Sequence, residues 1–399
     1  MSSNAKQAAV MIRANLLSVP RRLSISASMV FSVALVVCVL AGFLAMARGF
    51  ETTLQSAGSS SVAVILGGGT NQEAGSDVPA SIIRTLSAMT DDIGVTRDAN
   101  NMPIFSREIV VAVDAKSRGA DAGQTLALRG MDQSGSSIRD NITLSAGRLF
   151  APGTREIVVG DRLAQQFGLS IGKVVRLGTV DWTVVGHFSA RGSAFESEIW
   201  ADLDAVRSAF DRQGQVQSLR MRLADPASLS RLQDKISAIK AAPLLAVSEA
   251  QLYAAQSART ADLIRLFGWP LALLMAVGAT AGALNTMMNS VSDRTVEIAT
   301  VRALGLSRLS AFLGTWVEAV VLAAIGVVVG LLASWLAFNG WQASTVGANG
   351  ARMAFQLSVT CDVMATAGLL GLAIGILGGA LPATVASRLP LTAALRSRG

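Results

Sequence analysis

Charge disappears from three long stretches of the chain, residues 23–47, 266–292 and 363–387, and a fourth stretch, 309–351, is interrupted only by Glu318. A helix needs about 20 apolar residues to cross roughly 30 Å of hydrocarbon. The pattern therefore predicts four transmembrane helices, near 25–47, 266–288, 312–338 and 364–386. Between the first two lies a long segment of ordinary polarity. Its apolar positions alternate in short runs around 61–66, 107–113, 124–129, 156–160, 174–177, 182–186 and 216–223, which read as strands. Helical spacing appears at 79–89, 161–167, 202–210 and 226–240. The fold class expected is an α-helical membrane protein with four transmembrane helices and an α+β extracytoplasmic domain inserted between spans 1 and 2. The ends of the inserted segment, 48–56 and 248–265, contain no helix breaker beyond Gly49 and should prolong spans 1 and 2 as helical stalks.

The parts expected are a cytoplasmic amphipathic N-terminal helix (1–23), span 1 (24–48), the extracytoplasmic domain with its stalks (49–262), span 2 (263–290), a cytoplasmic helix (291–308), span 3 (309–338), a short outer loop (339–362), span 4 (363–387) and a cytoplasmic tail (388–399). Composition agrees: 51% of residues are hydrophobic and only 15% charged, where soluble domains carry about 25%. The excess apolar surface excludes a disordered chain.

The net charge of +7 would suit nucleic acid if it were clustered on a soluble face. It is not. Lys6, Arg13, Arg21 and Arg22 precede span 1, Arg294, Arg302 and Arg308 lie between spans 2 and 3, and Arg388, Arg396 and Arg398 follow span 4, whereas the long inserted segment is neutral. Basic flanks mark the cytoplasmic side. Both termini and the 291–308 segment are then cytoplasmic and the inserted domain is outside, with no role for nucleic acid. The first span reads as a retained anchor, because its apolar core is longer than the 7–15 residues of a signal peptide.

Enzyme chemistry finds little to work with. Cys38 lies within a span and Cys361 at the end of another, and His187, the single histidine, reads as a surface or turn residue. No metal site is expected. The nearest approach to a phosphate loop, Gly168-Leu-Ser-Ile-Gly172-Lys173-Val174, is one residue too short between its glycines and lacks the Ser or Thr that would hold magnesium. No cofactor is expected on this chain.

The segment between spans 2 and 3 is more informative. It reads Asp293-Arg294-Thr-Val-Glu297-Ile298-Ala-Thr-Val301-Arg302-Ala303-Leu304-Gly305. An acid at its start and a glycine at its end suit a short helix. Ile298, Val301 and Gly305 would share one side, and Arg294 and Glu297 are close enough to pair. An apolar ridge edged by charge is the form of a helix seated in a partner's groove.

The pattern Arg294-x-x-Glu297-Ile298-Ala299-x-x-Arg302-Ala303-Leu304-Gly305 resembles the hallmark of FtsX/MacB-type ABC transporter permeases. Pro382-Ala383, Ala386, Pro390 and Ala394-Leu395-Arg396 resemble the family's carboxy-terminal pattern. Gly147-Arg148-Leu149, Glu156 to Gly160, Phe167-Gly168-Leu169, Gly172 and Val184-Val185-Gly186 are similar to the MacB-like periplasmic core domain. The resemblance covers the whole chain and implies a multi-pass permease subunit of a bacterial inner (cytoplasmic) membrane. Its partners would be an ABC ATPase subunit dimer, carrying ATP and Mg, and a second permease copy, either identical or a paralogue. Arg294, Glu297, Ile298, Val301, Arg302 and Gly305 would be the ATPase-coupling residues. The resemblance further implies mechanotransmission, in which closure of the ATPases moves the outer domain. Three uses are open to such a device: efflux or secretion of a periplasmic substrate, which can recruit a periplasmic membrane-fusion adaptor; lipoprotein or lipid extraction; and FtsX-like signalling to an external partner. The size of the inserted domain favours the first.

Glu318, an acid inside span 3, is expected at a dimer or first-span interface. Gly326 and Gly330 in span 3, and Gly371 and Gly375 in span 4, have the spacing that brings helices close, and read as packing within one subunit.

Overall fold

In a computed structural model the described residues are 2–116, 123–225, 227–239, 242–347 and 350–388. The chain begins with helix α1 (Ser2–Ser18), a 3-10 turn, and the long helix α2 (Leu23–Gln55), followed by strand β1 (Val62–Gly67) and helices α3 (Ala80–Ala88) and α4 (Thr90–Ile93). Strands β2 (Phe105–Lys116) and β3 (Gly123–Met131), helix α5 (Gly135–Ile138), strands β4 (Thr143–Gly147) and β5 (Glu156–Gly160) and helix α6 (Asp161–Phe167) come next. Then come β6 (Val174–Leu177), β7 (Val180–Ser189), β8 (Glu198–Asp202), α7 (Leu203–Ala209), β9 (Ser218–Arg222), α8 (Ala227–Ala238) and β10 (Leu244–Ser248). Helix α9 (Glu249–Asp293), the short α10 (Thr295–Ala303) and α11 (Arg308–Phe338) lead to strands β11 (Gln342–Val346) and β12 (Arg352–Gln356) and to the final helix α12 (Cys361–Arg388).

Four of these helices, α2 from Ser26, α9, α11 and α12, are long and apolar enough to cross a membrane. With no water in hydrocarbon, each must satisfy its backbone polar groups within itself, which a helix does. Both expected stalks are helical: α2 runs on to Gln55, and α9 begins at Glu249 and continues without a break through Pro270. The chain divides into two compact units, one of residues 1–48, 262–341 and 357–399, the other of residues 49–261 and 342–356.

In the first unit, glycines set the helix spacing. A Cβ on Gly326 or Gly330 would lie within 3 Å of the Val30 or Ala34 carbonyl of α2, and one on Gly375 would lie 2.2 Å from Ala323 Cβ of α11. Gly371 faces Val327 and Val37. These four glycines thus lie at contacts among α2, α11 and α12 of one chain. Helix α1 does more than rest on a bilayer surface: Ala8 and Met11 are buried, and Met11 and Asn15 abut Gly314 of α11.

The second unit is built on one mixed sheet in the order β10-β1-β9-β2-β3-β8-β5-β7-β4, with β6 on the first half of β7. Pairs β3–β8 and β5–β7 are parallel and the others antiparallel. Alternation along the strands divides its residues between two faces. One face carries two apolar cores. Ile65, Leu219 and Met221 meet Ile82, Leu86, Leu232 and Ile236 of α3 and α8. Ile109, Leu128, Val159 and Ile199 meet Leu163, Phe167 and Val206 of α6 and α7. Helix starts and stops follow local chemistry: the Asp202 side chain accepts from Ala205 N–H to cap α7, and Gly168 takes a left-handed φ of 61° to end α6. Residues 339–362, read from sequence as a plain loop, contain the β11–β12 hairpin. Its Ala354 N–H donates to Ser197 Oγ at 3.1 Å, and Phe355 packs edge-on to Phe50.

The opposite face of the same sheet holds a buried charge network. Arg129 (β3) pairs with Glu73, Glu108 (β2) and Glu198 (β8) at 2.9, 2.9 and 2.7 Å. Arg220 (β9) pairs with Glu73 at 2.7 Å, lies 3.0 Å from Glu108 and pairs with Glu249 at the start of α9. Arg139 pairs with Glu108 at 2.6 Å and stands over the Phe195 and Trp200 rings. Trp200 Nε1 and Ser218 Oγ donate to Glu198 and Glu73, taking up further carboxylate lone pairs.

Burial alone would raise the Glu108 carboxyl, but Arg139, Arg220 and Arg129 outweigh it and hold the group at about 2. Glu73 is likewise raised by burial and more strongly lowered by Arg129 and Arg220, ending well below the ordinary range. A carboxylate whose native pKa is depressed stabilises the fold above its unfolded pKa. That contribution, on the order of 3 kcal/mol for Glu108, disappears as pH falls from about 5 toward 2. The urea midpoint, followed by the fluorescence of buried Trp182 and Trp200, should therefore drop across this acid window. Arg129→Met, which removes one cation shared by three carboxylates, should cost about 3–5 kcal/mol at neutral pH; equal midpoints for variant and parent would refute the assignment.

Candidate functional site

The segment singled out in the sequence forms α10, between two membrane-spanning helices. Arg294 stands at its start, and Gly305, with a φ of 105°, lets the chain turn sharply after it. Ser307 then caps α11, its Oγ accepting from Ser310 N–H at 3.2 Å. A side chain at 305 would meet no neighbour within 4 Å, so the left-handed backbone is the reason for glycine there.

The structure splits the expected ridge. Ile298 turns inward and joins Val291, Ala311 and Ala386 in a small apolar cluster, with Ala299 also buried. Val301 and Arg302 are half-buried, whereas Glu297, Thr300, Ala303, Leu304 and Gly305 are exposed. Leu304 is 80% exposed, an apolar residue at the tip of the segment that the sequence reading passed over. Its 3.6-residue spacing from Thr300 and Glu297 was the available signal.

Arg294 is also displaced from its expected role. Its guanidinium is 5% exposed and makes a two-pronged pair with Glu318 of α11, Nη1 to Oε2 at 2.9 Å and Nη2 to Oε1 at 3.3 Å. The expected i,i+3 geometry gave Glu297 as the partner. The burial of Glu318 favours this pairing, because a carboxylate inside an apolar helix needs a cation more than an exposed one does. Glu318 therefore lies against the start of α10 within its own chain. Of the six residues expected at a partner's surface, Glu297 and Gly305 are exposed, Val301 and Arg302 partly so, and Arg294 and Ile298 belong to the interior.

Span α9 has a second notable surface. The most apolar window of α9 is 22% buried, against 39–44% for α2, α11 and α12. Leu271, Leu274, Gly278, Gly282, Asn285 and Asn289 form an exposed stripe at helical spacing, and a Cβ on either glycine would touch nothing within 4 Å. This Gly-x-x-x-Gly pair went unmarked in the sequence reading.

Elsewhere the chemistry is structural. His187 is a half-buried residue of β7, not a turn residue, and its Nε2 donates to the Leu169 carbonyl at 2.6 Å. Lys173 Nζ donates to the Gly168 carbonyl at 3.0 Å, closing the turn that superficially resembled a phosphate loop. Among the described residues no group of three or more His, Cys, Asp or Glu side chains could hold a metal ion. The family-like tail through Pro390 and Ala394-Leu395-Arg396, with Arg396 and Arg398, lies outside the described residues, as do Pro226 and Lys240.

Residues 26–239 match the model of the MacB-like periplasmic core domain, and residues 270–391 match that of the FtsX-like permease C-terminal region. Among curated proteins, the chain is 26% identical over 251 residues to the macrolide export ATP-binding/permease protein MacB 1 of Aeromonas hydrophila, covering 59% of this chain and 37% of that protein. It is 32% identical over 244 residues to MacB of Nitrobacter winogradskyi, covering 56% and 35%. The chain thus spans little more than a third of the length of these relatives. Among solved structures, the periplasmic region of MacB from Actinobacillus actinomycetemcomitans covers 50% of this chain and 93% of its own, with 12% identity and a TM-score of 0.37. The extracellular domain of the ABC-type transporter YknZ from Gram-positive bacteria covers 46% and 99%, with 15% identity and a TM-score of 0.34. With both family models matched in order along the sequence, the chain belongs to the MacB/FtsX-like family of permeases and carries a MacB-like periplasmic core domain between its first and second membrane helices.

Proposed function

We propose that the chain is the permease subunit of an ABC transporter that converts ATP hydrolysis by a separate ATPase subunit into movement of its periplasmic domain. The observation that carries this reading is the form of α10: a short helix between two spans, anchored inward by Arg294, Ile298 and Ala299 and ending in the exposed Leu304. Thr300, Ala303 and Leu304 would enter a groove of the ATPase, with Glu297 and Arg302 at the rim. ATP and Mg would be held by that partner. Closure of two ATPases would displace α10, and α9, one unbroken helix from Glu249 to Asp293, would carry the displacement toward the core domain. The membrane would be the inner one, with both termini and α10 cytoplasmic, in keeping with the basic residues on that side.

Efflux is the use we favour, supported by relatives whose names specify macrolide export. A periplasmic membrane-fusion adaptor would then complete the export path. A second permease copy would pack against the open stripe of α9, where Gly278 and Gly282 allow close helix approach and Asn285 and Asn289 can hydrogen-bond across the interface.

Co-expression of the full chain with an ABC ATPase subunit of its host should give a complex with permease-dependent ATP hydrolysis. Leu304→Glu should weaken that complex by at least about thirtyfold, and Glu297→Ala and Arg302→Ala should reduce the stimulated rate. Wild-type binding and hydrolysis in all three would eliminate α10 as the coupling element. Gly278→Leu combined with Gly282→Leu should shift the purified permease from dimer to monomer in light scattering; an unchanged dimer would move the interface elsewhere.

A further inference from the structure

The segment around α10 is contacted by α1 at both ends. At its start, the Nη2 of Arg294 that reaches Glu318 also donates to Ser18 Oγ, at the last residue of α1. Beyond its other end, Ser307 N–H donates to Gln7 Oε1, near the first turn of the same helix, at 3.2 Å. Eleven residues separate Gln7 from Ser18, about 16 Å along a helix axis. Between them Met11 and Asn15 lie against Gly314 of α11, the helix that carries Glu318. Helix α1 therefore runs along α11 and touches the segment before α10 and the turn after it.

The energetics differ at the two ends. Gln7 meets Ser307 through a neutral hydrogen bond. The Arg294–Glu318 pair is buried on both sides, with 5% and 3% of the residues exposed, and separating it would take from each buried charge the opposite charge that faces it. The turn at Gly305, by contrast, is open and unpacked. A displacement applied to α10 is thus passed to α11 and α1 at its start, while its far end can swing.

We propose that Arg294, Glu318 and Ser18 form a strut that makes α1, α10 and α11 move as one body, so that the N-terminal helix is a working part of the transmission. All three are positioning residues: they touch no nucleotide and no transported molecule. The inference rests on reading α10 as the ATPase-coupling helix, and it adds to that reading the route by which force leaves the helix. Gln7 sets the rest position of the free end. Ion-pair geometry supplies the stiffness, and an uncharged Gln at 318 would keep the shape but lose most of the attraction.

The test uses the full-length permease in lipid nanodiscs with its co-expressed ATPase, comparing Glu318→Gln, Ser18→Ala and the exchanged pair Arg294→Glu with Glu318→Arg. Amide hydrogen exchange in residues 296–304 should rise about tenfold in Glu318→Gln, with exchange in the body of α12 unchanged. ATPase co-purification should persist while the permease-stimulated rate falls, and the exchanged pair should recover both readouts above the single variant. Should Glu318→Gln fail to accumulate, Ser18→Ala, which removes one hydroxyl, should show the same changes to a smaller degree. Parental exchange and parental stimulated rate in the accumulating variants would overturn the strut. Failure of the unaltered permease to bind the ATPase would instead remove the coupling reading, and the exchange measurement would still decide whether the strut holds α10.

Discussion

Carboxylates withdrawn from water need cations beside them, and the chain meets that requirement in both of its compact units. In the sheet of the core domain, Arg129, Arg139 and Arg220 are enclosed by Glu73, Glu108, Glu198 and Glu249. In the membrane unit, Glu318 is met by Arg294. Pairing compensates desolvation only when geometry is close and the remaining lone pairs are used. Trp200 and Ser218 donate to the carboxylates, and Ser18 Oγ accepts from the Arg294 guanidinium. Such networks fix position more than they add stability. An apolar core of the same volume could slide; opposed forked charges tolerate little displacement.

That distinction bears on how a permease of this family could work. Apart from Glu318 at Arg294, the described parts of the four spans offer no chain of buried ionisable groups through the bilayer. A mechanical account needs none. It needs stiff connections at the points where force enters and leaves. In the proposed coupling the start of α10 would be one such point. The start of α9 would be another, because Glu249 is bound to Arg220 within the sheet of the core domain, and the same helix continues into the membrane unit. The buried network thus clamps one end of the longest helix in the chain.

Much of the architecture was legible from hydropathy alone. Runs long enough for a bilayer are rare and unambiguous, so each of the four spans falls inside one of the helices α2, α9, α11 and α12. Short apolar strands bounded by turn residues, such as Glu156–Gly160 and Val174–Leu177, appear at their expected bounds. Strands whose pattern is set by partners were harder to see. β4 is exposed along its whole length, and β8 mixes Glu198, Trp200 and Asp202 with apolar neighbours because one of its faces meets the charge network. In the β11–β12 hairpin the two-residue period is confined to one short strand, where buried Met353 and Phe355 alternate with exposed Arg352 and Gln356.

The candidate site was only half legible for a related reason. Spacing identifies which residues of α10 share a side, but the inward side is chosen by tertiary neighbours. Val291, Ala311 and Ala386 claim Ile298, and Glu318 claims Arg294 from a position 24 residues away. Neither contact has a local signature. The acid within span 3 was the clue, since a buried charge implies a partner whose identity only the fold can supply.

The proposed function requires that α10 and the core domain face opposite sides of one membrane. Labelling with a membrane-impermeant maleimide tests it directly, using single-cysteine variants at Leu304 and at the exposed Asn100 in a chain with Cys38 and Cys361 replaced by serine. The account predicts that intact spheroplasts label the cysteine at 100 and leave the one at 304 unmodified until the membrane is permeabilised. Labelling of both positions from the same side would contradict it.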